Sequence, residues 1–240
     1  MKIEGRNSVY ELLKTDKEID KILVQKDLKD EASKRLLNTI KSKRIKVQIV
    51  DKYVIEKESE SKRSQGFIAY VSNYKYFDLE DIIEDAKDKE GFIIILNEIL
   101  DPHNLGSIIR VCECAGIDGI VIGKDRSATV SDTVMRISAG AVNHVKVARV
   151  VNVNTAIDKL KEEGYWIYGL ETDGGEIYKT DLKGKIALVI GGEDSGVKKL
   201  TKSKCDGVVK IPMYGKVNSL NASVACGIAV FEALRQRTGK

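Results

Sequence analysis

A chain of 240 residues, 42% of them apolar and 32% charged, can build two domains with separate cores and has the composition of an ordinary soluble globular protein. No apolar run approaches the roughly eighteen residues of a membrane span, and "MKIEGRNSVYELL" lacks a signal peptide's continuous apolar stretch, so the cytoplasm is the expected compartment. The net charge of +4 is unevenly spread: residues 1–75 carry eighteen Lys and Arg against twelve Asp and Glu (+6), the remainder twenty-two against twenty-four (−2). That asymmetry suggests a polyanion-facing module beside a near-neutral one, with a solvated lysine-rich surface as the plain alternative.

In chain order, "SVYELL" reads as a short helix, "IDKILV" as a strand, "DEASKRLLNTIKSK" as a polar helix with one apolar stripe and "IKVQIV" as a strand. The polar run "EKESESKRSQG" precedes strand "FIAYV", and "SNYKYFD" has the aperiodic polar and aromatic character of a linker, which puts a domain boundary near 72–80. A regular β/α alternation follows. Strands "FIIIL", "DGIVIG", "VKVARV", "YWIYGL", "KIALVIGG" and "GVVKIPM" are separated by helical segments, with a glycine-containing loop after "YWIYGL". Continuous apolar strands between amphipathic helices are expected to form a parallel sheet covered on both faces, with ligands at the carboxyl ends of its strands. Pattern alone predicts an unknotted, doubly wound sheet.

Three strand-end loops stand out. "NEILDPHNLGSIIRVCECAG" offers Asn104 as a helix N-cap, Gly106 as a point of close approach and Arg110 on an otherwise apolar helix. Taken alone, Arg110 reads as a surface residue with a snorkelling stem. "GGEDSGV" permits backbone contact with a ligand, yet it has no P-loop ending, and no dinucleotide fingerprint occurs at a first strand end. "IPMYGKVNSLNAS" supplies Ser219 or Asn221 as a cap and Lys216 as an anion contact. Cys112, Cys114, Cys205 and Cys226 form no Cys-x-x-Cys pair and read as reduced structural thiols. His103 and His144 read as structural or solvent-facing, so neither a zinc site nor a histidine-based mechanism is expected.

Together, "DPHNLGSIIRVCECAG", "VIGGEDSGV" and "IPMYGKVNSLNASVACGIAVFE" resemble, in order and spacing, the three signature motifs of the SpoU (TrmH-like) RNA 2′-O-ribose methyltransferases. "EGRNSVYELL" and "QGFIAYV" resemble the substrate-binding domain of the bacterial rRNA-guanosine branch, so the likeness covers nearly the whole chain. It implies an α/β fold with a trefoil-knotted (SPOUT-type), Rossmann-like parallel sheet and a smaller L30e/L7Ae-like domain in front. Residues 1–75 would bind RNA, 76–90 form a linker and leading helix, and 91–240 form the catalytic domain. It also implies an S-adenosylmethionine cofactor, an RNA substrate and a homodimer.

Residue by residue, the resemblance puts Arg110 where the 2′-hydroxyl is activated, as a base or as an electrostatic stabiliser; arginine is a reluctant base. Asn104 and Glu193 would arrange this arginine and the RNA, with Glu193 pairing a partly buried guanidinium. Gly191, Ile211 and Leu220 would line the adenosine pocket, and Met213, Ser219 and Asn221 would close or shape it. Arg6, Asn7, Lys62, Arg63 and Gln65 are the candidate RNA contacts of the first domain. Val111 and Cys112 replace the family's usual Ser/Thr-Ala pair, and Ser64-Gln65-Gly66 stands where His-Gln-Gly is common. Three readings compete with rRNA methylation: a tRNA or drug-resistance rRNA target, a silent RNA-binding or assembly factor, and a nucleotide-cofactor redox protein.

Overall fold

In the computed structural model, which describes residues 1–239 apart from 16, 44, 73, 194 and 195, the chain divides into two units, Met1–Lys75 and Tyr76–Lys240. Two positions of the "GGEDSG" loop and one of the 72–80 linker therefore lie outside the described residues.

In the first unit, β1 (Lys2–Glu4), β2 (Ile19–Gln25), β3 (Val47–Val50) and β4 (Phe67–Val71) form a mixed sheet in the order β1-β4-β2-β3. Alternation along β4 divides the core. Phe67, Ala69 and Val71 pack with Val9 and Leu12 of α1 (Arg6–Leu12) and with Leu36 and Ile40 of α2 (Glu31–Ser42). Ile68 points the other way, against Leu23 and against Ile55 of α3 (Lys52–Glu58). Sequence reading does not anticipate β1 or α3. Three residues are too few to show alternation, and α3 buries only Ile55, too little for a helical period.

The second unit is built on a six-stranded, wholly parallel sheet. Its strands are β5 (Phe92–Asn97), β6 (Gly119–Gly123), β7 (Lys146–Val150), β8 (Trp166–Glu176), β9 (Ile186–Gly191) and β10 (Gly207–Lys210), in the order β10-β8-β9-β5-β6-β7. The central strand β5 is buried along its whole length, as its unbroken apolar run requires. Ile93 and Ile95 face a core shared with α4 (Leu79–Asp85) and α7 (Val153–Glu162). The remaining helices are α5 (Pro102–Cys114), α6 (Asp132–Ile137), α8 (Lys199–Lys204) and α9 (Ala222–Thr238). Helix α5 packs on α6 and α9. At the end of α9, Arg237 donates to the carbonyls of Gly184 (2.8 and 2.9 Å) and Gly91 (3.2 Å), which ties it to the segments leading into β9 and β5.

The expected loop after "YWIYGL" is instead an excursion within β8. Val208 of β10 pairs with Gly169, but the next residue, Val209, pairs with Gly175. Residues 170–174 therefore leave the ladder and return to it. Gly174 is required at the return, because a Cβ there would lie 2.3 Å from the Val208 carbonyl oxygen.

Candidate cofactor and catalytic site

The site gathers where β5 and β9 end, beside the excursion within β8. Buried Asn97 closes β5: its Oδ1 accepts from the Lys198 amide at 2.8 Å, and its carbonyl accepts from the Gly192 amide at 3.0 Å. Gly192 must lack a side chain, since a Cβ would lie 2.5 Å from the Glu98 carbonyl oxygen. The strand end and the loop after β9 are thereby held as one piece.

Helix α5 starts differently from expectation. Its N-cap is Asp101, whose carboxylate accepts from the His103 amide at 2.9 Å, and Pro102 takes the first helical position, where no amide hydrogen is needed. Asn104 is therefore not the cap. It lies inside the first turn, 7% exposed, with its side chain available for tertiary contacts. Its Nδ2 donates to Glu193 Oε1, and its Oδ1 accepts from Asn221 Nδ2 at 2.9 Å. Asn221 Oδ1 in turn caps α9, accepting from the Ser223 amide at 2.9 Å and hydroxyl at 2.6 Å. One buried asparagine thus joins the three expected motifs, and Asn221, not Ser219, is the cap. Gly106 admits Ile137 of α6, whose Cβ would stand 2.7 Å from an added methyl.

Arg110 is exposed and makes no ion pair or hydrogen bond within the described residues, so the expected Glu193–Arg110 pairing does not form. The reason is helical geometry: six residues beyond Asn104, Arg110 projects about 120° around the helix axis from it. Glu193, held by Asn104, lies on a different side of α5. His103 and His144 are both exposed, as is Lys216. Burial pushes the Cys112 thiol well above its ordinary pKa, and the neighbouring Cys226 adds to the effect; Cys114, two residues on, is exposed. Among the described residues, no cluster of three or more metal-ligating side chains occurs.

A cavity of about 280 Å³ opens beside this junction. The expected cofactor residues Gly191, Ile211, Met213 and Leu220 line it, together with Glu193 and Ser219. Asn104 and Asn221 are not in its wall and act from behind it. Gly191 is packed against the returning loop: a Cβ there would fall 2.1 Å from the Gly196 carbonyl carbon. A wall of glycines and apolar side chains such as Ile190, Ile211 and Leu220 suits an adenosine group. Sequence reading missed Leu170, Glu171 and Thr172, which the β8 excursion brings into the wall. The acid and paired glycines of "GLETDGG" are the only signal of them, and it reads as an ordinary loop.

Within the first unit, the backbone brings several expected RNA contacts together. The Arg6 amide donates to Gln65 Oε1 at 3.2 Å, and Asn7, Lys62 and Arg63 are exposed. The Arg6 guanidinium, however, is bound to Asp30 Oδ1 at 2.6 Å.

A parallel α/β sheet with a glycine-built cavity at its strand ends is the kind of site that can take a nucleotide-sized ligand, and comparisons with known proteins identify the family. The SpoU rRNA Methylase family profile matches residues 91–231, and the profile for RNA 2′-O ribose methyltransferase substrate binding matches residues 2–77. A Staphylococcus haemolyticus protein named for the TrmH family of tRNA/rRNA methyltransferases is 41% identical over 98% of this chain and 95% of its own. The crystal structure of the SpoU methyltransferase AviRb from Streptomyces viridochromogenes with AdoMet has a TM-score of 0.65 at 22% identity, covering 100% of this chain and 91% of that one. An AdoMet-bound rRNA methyltransferase from Sinorhizobium meliloti has a TM-score of 0.63 at 24% identity, covering 98% and 86%. The chain belongs to the SpoU (TrmH) family of RNA methyltransferases.

Proposed function

We propose that the protein methylates a ribose 2′-hydroxyl, that of a guanosine in large-subunit rRNA. The observation that carries this reading is the Glu193–Asn104–Asn221 chain of hydrogen bonds, set behind the cavity and centred on the helix that also carries exposed Arg110. A silent RNA binder would have no use for this arrangement.

Bound S-adenosylmethionine supplies an electrophilic methyl group on a sulfonium. The residues around it must orient the ribose and assist loss of the hydroxyl proton as the oxygen attacks. Arginine side chains remain protonated at neutral pH, so Arg110 serves by holding a phosphate or stabilising the developing alkoxide. Among the described residues Arg110 has no ion-pair or hydrogen-bond partner, which leaves its five donors free for RNA. Asn104 keeps Glu193 and the start of α9 in register, and Ser219 on the cavity rim shapes the approach.

Under the same reading the loops after β9 and β10 form the trefoil knot, the enzyme works in the cytoplasm, and the functional unit is a homodimer. Support for the dimer comes from α9. Val224 and Phe231 are about half exposed, Gly227 and Ile228 are partly exposed between them, and together they make an apolar stripe at helical spacing. The stripe adjoins Val111 of α5, so Arg110 would lie at the edge of the interface.

The first unit would select the RNA through the loop at 59–66. Glu4 organises it, accepting from the Ser59 hydroxyl (2.7 Å), the amides of Glu60 (2.7 Å) and Ser61 (3.2 Å), and the Ser61 hydroxyl. Lys62 and Gln65 adopt left-handed backbone angles there, φ 55° and 48°. Desolvation pulls the Glu4 carboxyl upward, but these hydrogen bonds outweigh it and hold the pKa at about 2. Since that is below the ordinary 4.5, the contribution is complete above pH 4.5 and is lost as pH falls toward 2. Glu4→Gln is expected to weaken RNA binding about three- to tenfold at neutral pH, with cofactor affinity unchanged. Filter binding and calorimetry on the same preparation check both halves.

The name of the staphylococcal relatives covers tRNA and rRNA alike, and the basic first unit favours rRNA. The deciding experiment maps ribose methylation across total RNA from a strain lacking the gene and from its complemented counterpart. One rRNA guanosine losing its 2′-O-methyl group is the expected result; a lost tRNA site would reassign the substrate, and a lost base methylation would overturn the reaction.

A further inference from the structure

Two carboxylates, Glu171 and Glu193, line the cofactor cavity, and no Lys, Arg or His does so among the described residues. Glu193 is engaged by Asn104. Glu171 takes no part in the Glu193–Asn104–Asn221 chain. It sits on the β8 excursion, and its Oε1 accepts from the Val197 amide across the cavity wall. The carboxylate lies directly against Gly196, which has φ +56°; a Cβ there would stand 2.5 Å from Oε1 and 3.1 Å from Oε2. The nearby ammonium of Lys202 makes its hydrogen bonds to both oxygens of Asp173, at 2.7 and 2.9 Å, and acts on Glu171 only through its charge at longer range. A negative charge is therefore built into the wall, with its position set by Gly196 and a backbone hydrogen bond.

We propose that Glu171 discriminates between cofactor and product by charge. Methyl transfer breaks the sulfur–methyl bond, leaves the electron pair on sulfur and converts a cationic sulfonium into a neutral thioether. The methyl group passes to the substrate oxygen, whose proton departs to solvent. A fixed carboxylate in a pocket of reduced dielectric attracts the sulfonium and gains nothing from the thioether. Binding thus favours S-adenosylmethionine over S-adenosylhomocysteine and speeds release of the spent cofactor. Through the Val197 amide, Glu171 also latches the loop that carries Glu193.

Charge and latch can be separated. Glu171→Gln keeps an oxygen to accept from Val197 but removes the charge, whereas Glu171→Ala removes both. Calorimetric titration of the full chain would use S-adenosylmethionine, S-adenosylhomocysteine and sinefungin, which carries a protonated amine near the methylsulfonium position. In Glu171→Gln, affinity for the two cationic ligands is expected to fall about tenfold, with S-adenosylhomocysteine unchanged; in Glu171→Ala all three should weaken. Equal losses for all three ligands in Glu171→Gln, or no loss for any, would overturn the proposal, and an unchanged melting temperature for that variant shows that folding is intact. Binding alone is read, so the outcome does not depend on which RNA atom is methylated.

Discussion

Arg110→Ala is expected to lower methyl transfer at least a thousandfold, about 4 kcal/mol of transition-state stabilisation, while S-adenosylmethionine binding stays within about twofold. The split follows from position. Arg110 is exposed on α5, outside the cavity wall and outside the Glu193–Asn104–Asn221 chain, so its removal unpairs no buried group. Single-turnover transfer to target RNA and calorimetry with the cofactor measure the two quantities separately. Lysine at this position should restore little, because it offers a point charge in place of a planar fork of donors. Turnover near wild type in Arg110→Ala would remove this residue from the chemistry, and a parallel loss of cofactor binding would make its role structural.

Gly191→Ala is expected to damage both cofactor binding and stability. The added methyl would fall 2.1 Å from the Gly196 carbonyl carbon and 2.3 Å from the Val197 amide nitrogen, both backbone atoms in a segment latched by Glu171. No rotamer change relieves such a contact, so β9 or the returning loop must move. Overpacking of this kind costs about 1–3 kcal/mol, several degrees of melting temperature for a chain of this size. Displacing the loop deforms the cavity wall, and S-adenosylmethionine affinity should drop at least tenfold. Thermal melts with and without the cofactor read both effects, and the cofactor's stabilising increment should shrink with its affinity. A variant that melts and binds like wild type would show that this close approach is dispensable.

Much of the fold is legible in the sequence. The apolar runs at 92–96 and 186–190 dictate buried parallel strands, because no other element hides both faces of so short a segment. Long stretches with strong periodicity, such as α2 and α7, follow equally directly from one-sided burial. The lining of the cavity was also legible, through motif order: Gly191, Ile211, Met213 and Leu220 all contribute to it. Short elements were not. β1 is specified by its partner β4, and α3 by a single buried isoleucine.

The sequence by itself determined composition, the parallel α/β pattern, the family motifs and the identities of the chemistry-bearing side chains. Only the tertiary structure decided how those side chains connect. Asp101 and Pro102 start α5 early enough to release Asn104 from capping, and the helical turn then carries Arg110 away from Glu193. The register jump between Gly169 and Gly175 brings Glu171 to a cavity from which its sequence position looks remote. The physical reason is common to both cases. Hydrophobic periodicity constrains which face of an element is buried, but hydrogen-bond partners and strand register depend on contacts between residues far apart in the chain, such as Asn104 with Asn221.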